Sequence, residues 1–253
     1  MLEVLIFDVD GTLADTERDL HRVAFNAAFR SEGLDVDWDV DLYGRLLAVT
    51  GGKERLTYYF TEVSPERRPP GDLAAWVRRL HARKTEAFAH LLATAGVQLR
   101  PGVRRLIGEA RAAGLRLAIA TTTTPENLVP ILQAFGPDGA SLFEVIAAGD
   151  VVELKKPAPD IYQYALAALH SPAMAAIAFE DSENGLKAAL GAGLKTVVTV
   201  NDYTRAQNFD GALTVVDQLG EPGRPLAHLG GRVPRGGMID LAVLRALSEA
   251  QPG

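Results

Sequence analysis

The chain has 253 residues, is 47% hydrophobic and carries a net charge of −6. That is enough apolar material for a sizeable core in one large domain or two small ones, and too much for a disordered chain. The acidic balance argues against nucleic acid as a partner, and the lack of cysteine excludes disulfides, thiolate catalysis and Cys-ligated zinc.

The first seven residues hold no basic leader segment, and no apolar stretch runs for the ~18 residues a membrane span needs. The expectation is a cytoplasmic protein with no membrane partner. Five scattered histidines form no HExxH pair.

In chain order, Val4-Leu5-Ile6-Phe7 is a short apolar run that ends abruptly in Asp8-Val9-Asp10-Gly11-Thr12. It reads as a buried strand with a polar end. Strand side chains alternate faces, so Asp8 and Asp10 project the same way. Residues 15–32 change to helical spacing, with Leu20, Val23, Ala24, Ala27 and Ala28 near one face. Two short helices are predicted at 39–48 and 53–62, joined by Val49-Thr50-Gly51-Gly52. After the breakers Pro65, Pro69, Pro70 and Gly71, Asp72 can N-cap a helix over 73–94.

From Pro101 the pattern alternates. Helices are predicted at 102–113, 126–135, 158–169 and 183–192. Strands are predicted at 115–120, 143–147, 175–179, 195–200 and 213–216. Residues 218–237 are rich in Gly and Pro and read as a long surface loop, followed by an amphipathic helix at 238–249. Such alternation implies a parallel sheet covered on both faces, which the first strand must join. The fold class is α/β: a Rossmann-like parallel sheet core made of residues 1–13 and 97–253, with an inserted helical unit, 14–96, as a natural lid.

Four polar clusters then fall at strand ends or in the loops after them: Asp8 with Asp10, Thr121 with its followers, Lys156, and Glu180 with Asp181. Ligands of open α/β sheets bind at those ends. Each cluster has a plainer reading. Glu180-Asp181-Ser182 can cap the next helix, Lys155-Lys156 can be a solvated pair, and the threonines can be strand-end residues.

As a set, these clusters resemble the four motifs of the haloacid dehalogenase-like superfamily of phosphohydrolases, over about residues 4–216. The resemblance implies an enzyme using Mg²⁺, with Asp8 as nucleophile, Asp10 as acid/base, and Thr121 and Lys156 at the phosphoryl group. It implies metal binding by Asp8, the Asp10 backbone carbonyl, Asp181 and, directly or through a neighbour, Glu180. The chemistry agrees: a carboxylate can take the phosphoryl group covalently, and a second can move the protons. Thr122 and Thr123 join Thr121 as candidates for the phosphate oxygens.

In the helical insertion, Gly51 and Gly52 allow backbone to approach an anion, and Lys53 and Arg55 add positive charge. A plain turn with surface charges fits equally. Thr50 to Leu56, Asp10 to Glu17, His21 and the segment 155–162 are similar to the CbbY-type branch, related in fold to β-phosphoglucomutase. That resemblance implies a sugar bisphosphate, xylulose-1,5-bisphosphate, as substrate, a Calvin-cycle association and a monomer. Glu17 and His21, one turn apart, are candidates for sugar contacts, and His21 alternatively for a hinge. Lys84 matches the cap lysine of the mutase relatives loosely and otherwise faces solvent with Arg83. Tyr43 contacts sugar or belongs to the core. Two other activities stay open: a sugar phosphomutase, and a phosphatase of another small ester such as phosphoglycolate. A non-enzymatic binding protein is a further class.

Overall fold

The structure, a computed structural model, describes residues 1–249. Its sheet has seven strands: β1 (Val4–Phe7), β2 (Arg116–Thr121), β3 (Val145–Ala148), β4 (Ala176–Glu180), β5 (Lys195–Thr199), β6 (Thr214–Val216) and β7 (His228–Gly231). They lie in the order β3-β2-β1-β4-β5-β6-β7, and every pairing is parallel except β6 with β7.

Both faces of the central strands β1, β2 and β4 are buried, which is why these strands read as continuous apolar runs. Leu5 and Phe7 share one face with Leu117, Ile119, Ile177 and Phe179, against α5 (Val103–Ala112), α6 (Pro125–Gln133) and, later in the chain, Leu241–Glu249. The Phe7 and Phe179 rings stack at 4.5 Å, locking β1 to β4. Val4 and Ile6 share the other face with four alanines, Ala118, Ala120, Ala176 and Ala178, against α7 (Asp160–Ala168) and α8 (Glu183–Gly191). Those small residues let bulky Ile161, Tyr162 and Leu166 sit close on the strands.

From β1 the chain moves outward through β2 and β3, then crosses back to β4, β5 and β6 on the other side. The carboxyl ends of β1 and β4 therefore flank the switch point, where the sheet opens a crevice. Asp8 continues the ladder there, its N–H donating to Phe179 O at 3.0 Å.

Between β1 and β2 lie α1 (Arg22–Ser31), α2 (Val40–Leu46), α3 (Gly52–Tyr58) and α4 (Leu73–Ala95). They enclose a separate, aromatic-rich core that includes Phe25, Phe29, Trp38, Tyr43, Phe60 and Trp76. The Asp39 and Asp72 carboxylates cap α2 and α4, accepting from Leu42 N at 2.7 Å and Ala75 N at 3.1 Å. The two connections to this unit run side by side: Ala14 pairs with both Asp10 and Leu99, and Arg100 N–H donates to Leu13 O at 2.9 Å. The buried Arg100 guanidinium then donates to the carbonyls of Gly11, Thr199 (2.8 Å), Val200 (2.7 Å) and Asp217 (2.8 Å). One side chain thus ties the loop after β1 to the ends of β5 and β6.

Most predicted elements appear with ends shifted by about two residues, the usual uncertainty of helix and strand ends. Three do not. The single helix expected over 15–32 begins as a π turn, Glu17–His21, closed by His21 N–H to Thr16 O at 2.8 Å, before α1. The wider turn brings Thr16 and His21 to the same acceptor, described below. The helix expected over 53–62 divides into α3 and a second π turn, Tyr59–Val63. The surface loop expected over 218–237 contains β7, an antiparallel edge strand. Its residues His228-Leu229-Gly230-Gly231 have no β-branched member, so local propensity is silent and pairing with β6 decides. The last helix, α9 (Leu241–Glu249), starts three residues later than expected.

Candidate active site

Asp8 leaves β1 at the switch point, and Lys156 reaches it from the loop before α7. Lys156 Nζ donates to Asp8 Oδ1 at 2.7 Å, Glu180 Oε1 at 2.6 Å and Ala120 O at 3.0 Å. All three ammonium hydrogens are thereby used in a side chain that is almost wholly buried. Burial opposes the charge of Lys156, but the carboxylates of Asp8 and Glu180 outweigh it and hold its pKa above the ordinary lysine value. Lys156 is a site cation, not a solvated loop residue.

Glu180, at the end of β4, also accepts from Tyr162 OH at 2.5 Å. Its carboxylate fills the space where a side chain on Gly185 would sit, so any other residue at that position displaces Glu180 or shifts α8. Ser182 is the residue that caps α8, accepting from Gly185 N at 3.2 Å. Capping is thus the work of Ser182, and Asp181 is left to face the crevice. Asn201 Nδ2 donates to Asp181 Oδ2 at 2.6 Å and orients it. Gly11, at φ +82°, brings the first loop so close that a Cβ would overlap Asp181.

Asp8, Glu180 and Asp181 form one buried cluster whose ligand oxygens lie within 4.8 Å of one another. Burial, only partly opposed by Lys156, pushes Asp8 up to about 8. Burial and the charges of Asp8 and Glu180 push Asp181 well above the usual carboxylate range. Three carboxylates against one lysine leave the cluster short of positive charge. Hard oxygen donors with a charge deficit of two suit a divalent cation such as Mg²⁺.

Asp10 is differently held. Its Oδ1 accepts from the Thr16 hydroxyl and lies 2.9 Å from His21 Nε2, while Oδ2 accepts from the Thr123 hydroxyl. Burial alone would raise its pKa, but His21, Thr123 and Thr16 hold it well below the usual carboxylate range. With both side-chain oxygens engaged, its backbone carbonyl is what remains for a metal. His21 stacks on Phe88 at 4.0 Å, and its Nδ1 lies 2.5 Å from Lys84 Nζ. Lys84 is buried and does not face solvent, whereas Arg83 is exposed. Burial, partly offset by Asp10 and Glu17, brings the Lys84 pKa down to about 8.

One cavity between the helical unit and the sheet collects nearly all the predicted residues. Asp8, Asp10, Thr121, Thr122, Thr123, Lys156, Glu180 and Asp181 line it from the sheet, and Glu17, His21, Gly51, Gly52, Arg55 and Lys84 from the helices. Thr121 is buried and its Oγ1 accepts from Thr123 N at 3.2 Å. Tyr43 belongs to the core and does not line the cavity, but its hydroxyl donates to Glu17 Oε2 at 2.5 Å and accepts from Arg55 Nη1 at 3.2 Å, holding two residues that do. Arg55 is additionally anchored by Nε to Leu46 O at 3.2 Å.

Lys53 is the exception. It does not line the cavity but turns outward to an ion pair with Asp150, which Lys155 Nζ also holds at 2.9 Å. A carboxylate within reach across the gap is a nearer partner than the cavity interior. A second bridge stands beside it, where Asn184 Nδ2 donates to Ala48 O at 3.0 Å and Thr50 Oγ1 at 3.1 Å.

Several lining residues escaped the sequence reading. Asn127 is almost wholly buried, and its Oδ1 has no partner, nor has Thr124 Oγ1. Asn201 and Tyr203 follow β5, and Asn184 opens α8. Their one signal was position just after a strand end, which any loop polar residue shares.

The sequence model of haloacid dehalogenase-like hydrolases matches residues 2–193. The plasmid-borne CbbY protein of Cupriavidus necator is 49% identical, over 97% of this chain and 96% of its own. A variant of CbbY from Rhodobacter sphaeroides, solved in complex with xylulose-1,5-bisphosphate, is 46% identical with a TM-score of 0.81, covering 87% of this chain and 97% of that one. A β-phosphoglucomutase from Clostridium difficile shares the fold, with a TM-score of 0.72 at 22% identity over 86% of this chain and 92% of its own. With the family model matching most of the chain and identity near one half held over almost the full length of both chains, the protein belongs to the haloacid dehalogenase-like hydrolase family, as a phosphatase related to the CbbY proteins.

Proposed function

We propose that the protein hydrolyses xylulose-1,5-bisphosphate to xylulose-5-phosphate and inorganic phosphate, with Mg²⁺ and through an aspartyl phosphate. In this reading residues 14–96 act as the cap, and 1–13 with 97–253 as the core. The cytoplasmic location, the monomeric state and the Calvin-cycle role implied by the CbbY likeness belong to the same proposal. The observation that carries it is a single cavity with two sets of cationic groups: Lys156 beside Asp8 in the core, and Arg55 with Lys84 in the cap. Among the cavity-lining cap residues, Glu17 is the one carboxylate beside the two cations; a bisphosphate brings the cap set a second anion, and a monophosphate does not.

Asp8 attacks the phosphorus, the bond from phosphorus to the sugar oxygen breaks, and the phosphoryl group passes to the Asp8 carboxylate. Asp10, ionised in the free site, must take up a proton as substrate binds; it gives that proton to the leaving oxygen, then takes one from the water that attacks the acyl phosphate and frees Asp8. The three groups around Asp10 favour its ionised form, the form that serves as base in the second step. Lys156 stays charged and stabilises both Asp8 and the transferred group. Asp8, Asp181 and the Asp10 carbonyl would hold Mg²⁺, with Glu180 committed to Lys156 and Tyr162. Bound there, the cation supplies the positive charge that the carboxylate cluster and the phosphoryl oxygens lack.

Phosphate release from xylulose-1,5-bisphosphate, compared with hexose 1-phosphates and phosphoglycolate, tests the substrate. The bisphosphate should give the highest kcat/KM, and Asp8→Asn or a chelator should abolish turnover. Preference for a monophosphate refutes the substrate, and turnover by Asp8→Asn refutes the nucleophile.

A further inference from the structure

His81 lies on α4, three residues before Lys84, and lines the same cavity. It is 8% exposed, yet neither ring nitrogen has a hydrogen-bond partner among the described residues. Its neighbour Lys84 is matched to His21, and Arg55 to Tyr43 and Leu46. With no protein partner, the ring nitrogens are left to whatever fills the cavity, water in the free site or a bound ligand.

The seat of His81 is built into the Gly51-Gly52 turn. A Cβ on Gly52 would lie 2.5 Å from His81 Nε2, so any other residue there displaces the ring. Gly51 needs glycine for a different reason, its φ of +95°. The two glycines therefore serve separate ends: one turns the chain, the other makes room for His81. Burial first, then the nearby charges of Lys84, Lys53 and His21, bring the His81 pKa down to about 3, so the ring is neutral at working pH. A neutral imidazole has one donor and one acceptor to offer.

We propose that His81 is a specificity-determining residue, hydrogen-bonding the part of the substrate that the cap holds, away from the phosphoryl group transferred to Asp8. The assignment rests on the sugar-bisphosphate reading and deepens it. The ligand group it takes is an oxygen of a polyol phosphate, at the end near Gly52 and Arg55. Completing one otherwise unmatched hydrogen bond is worth about tenfold in affinity.

Two variants separate this role from packing. His81→Leu keeps bulk and removes hydrogen bonding; His81→Asn keeps hydrogen bonding and removes bulk. With xylulose-1,5-bisphosphate, His81→Leu should raise KM about tenfold with kcat within twofold, and His81→Asn should recover most of the loss. Turnover of 4-nitrophenyl phosphate, which has neither sugar hydroxyls nor a second phosphate for His81 to bond, should change less than twofold in both. The reverse order, with Leu near the parent and Asn impaired, makes His81 a packing residue and overturns the proposal. So does a KM within twofold of the parent in both variants. Should the parent release phosphate from 4-nitrophenyl phosphate but none from the bisphosphate, the substrate reading fails. His81 is then judged by the same Leu-to-Asn comparison on the best substrate of a sugar-phosphate panel.

Discussion

Tyr162→Phe removes one oxygen from the base of the site and little else. The phenol donates to Glu180 Oε1 at 2.5 Å, in a place where both residues are almost wholly buried. The aromatic ring stays, and with it the contact to Lys156, whose Nζ lies 5.1 Å from the ring centroid. Burial and the charge of Glu180 hold the Tyr162 pKa well above its ordinary value, so the hydroxyl remains a donor at any working pH. Hydrogen bonds to charged groups contribute about 1.5–3 kcal/mol. Glu180 Oε1 keeps Lys156 at 2.6 Å, so it is not orphaned, and the lower part of that range applies. We expect a loss of roughly 1.5–2 kcal/mol, or about 3–8 °C in Tm for a chain of this size. Urea denaturation should show a lower midpoint with an unchanged slope, since no additional surface is exposed. There is a functional counterpart. Without the phenol, Glu180 draws harder on Lys156, which it shares with Asp8, so kcat for phosphate release should fall while KM holds. A Tm within about 1 °C of the parent, together with unchanged kcat, would falsify the view that this hydrogen bond sets the Lys156 position.

The pH dependence of stability should carry the mark of Lys84. Its folded pKa, about 8, lies below the ordinary 10.5 of the unfolded chain, so the unfolded state binds more protons between those values. Its burden on stability is therefore full below pH 8 and lifts as pH rises towards 10.5, by roughly 3 kcal/mol at most. Urea midpoints of the parent and Lys84→Met, compared at pH 7.5 and 10, should show the parent gaining on the variant; a difference that stays constant or moves in the variant's favour contradicts the burial argument. Gly185→Ala should cost about 1–3 kcal/mol by forcing Glu180 from its seat, and should weaken Lys156 as well. Equal Tm and kcat in that variant would show that α8 can shift without disturbing the site. Added Mg²⁺ should raise the parent Tm in a concentration-dependent way and leave Asp181→Asn nearly unmoved. An equal rise in both places the cation elsewhere.

Local chemistry made much of this protein legible from its residues. Val4 to Phe7 are apolar enough to be buried on both faces, and Asp8 and Asp10 follow at once, so strand and site announce each other. The alternation after Pro101 carries the parallel sheet in the same way, because buried strands and amphipathic helices differ in period. Asp39, Asp72 and Ser182 cap their helices through contacts three residues away, well within sequence range.

What depends on partners distant in the chain was hidden. Nothing local separates Lys53 from Arg55: both are basic residues on one short helix, and only the position of Asp150, 97 residues on from Lys53, turns one outward. Lys84 reads as a solvated lysine until Phe25, Phe88 and His21 close around it. The strand β7 exists because β6 offers it an open edge, not because its glycines favour extension. Gly52 reads as a turn residue, and only the approach of α4 shows that its missing side chain is the space His81 occupies. Composition and spacing determined which elements form and which carboxylates stand at their ends. The partner each charged side chain takes was decided by the tertiary structure, since an ion pair or a steric gap belongs to two places in the chain at once.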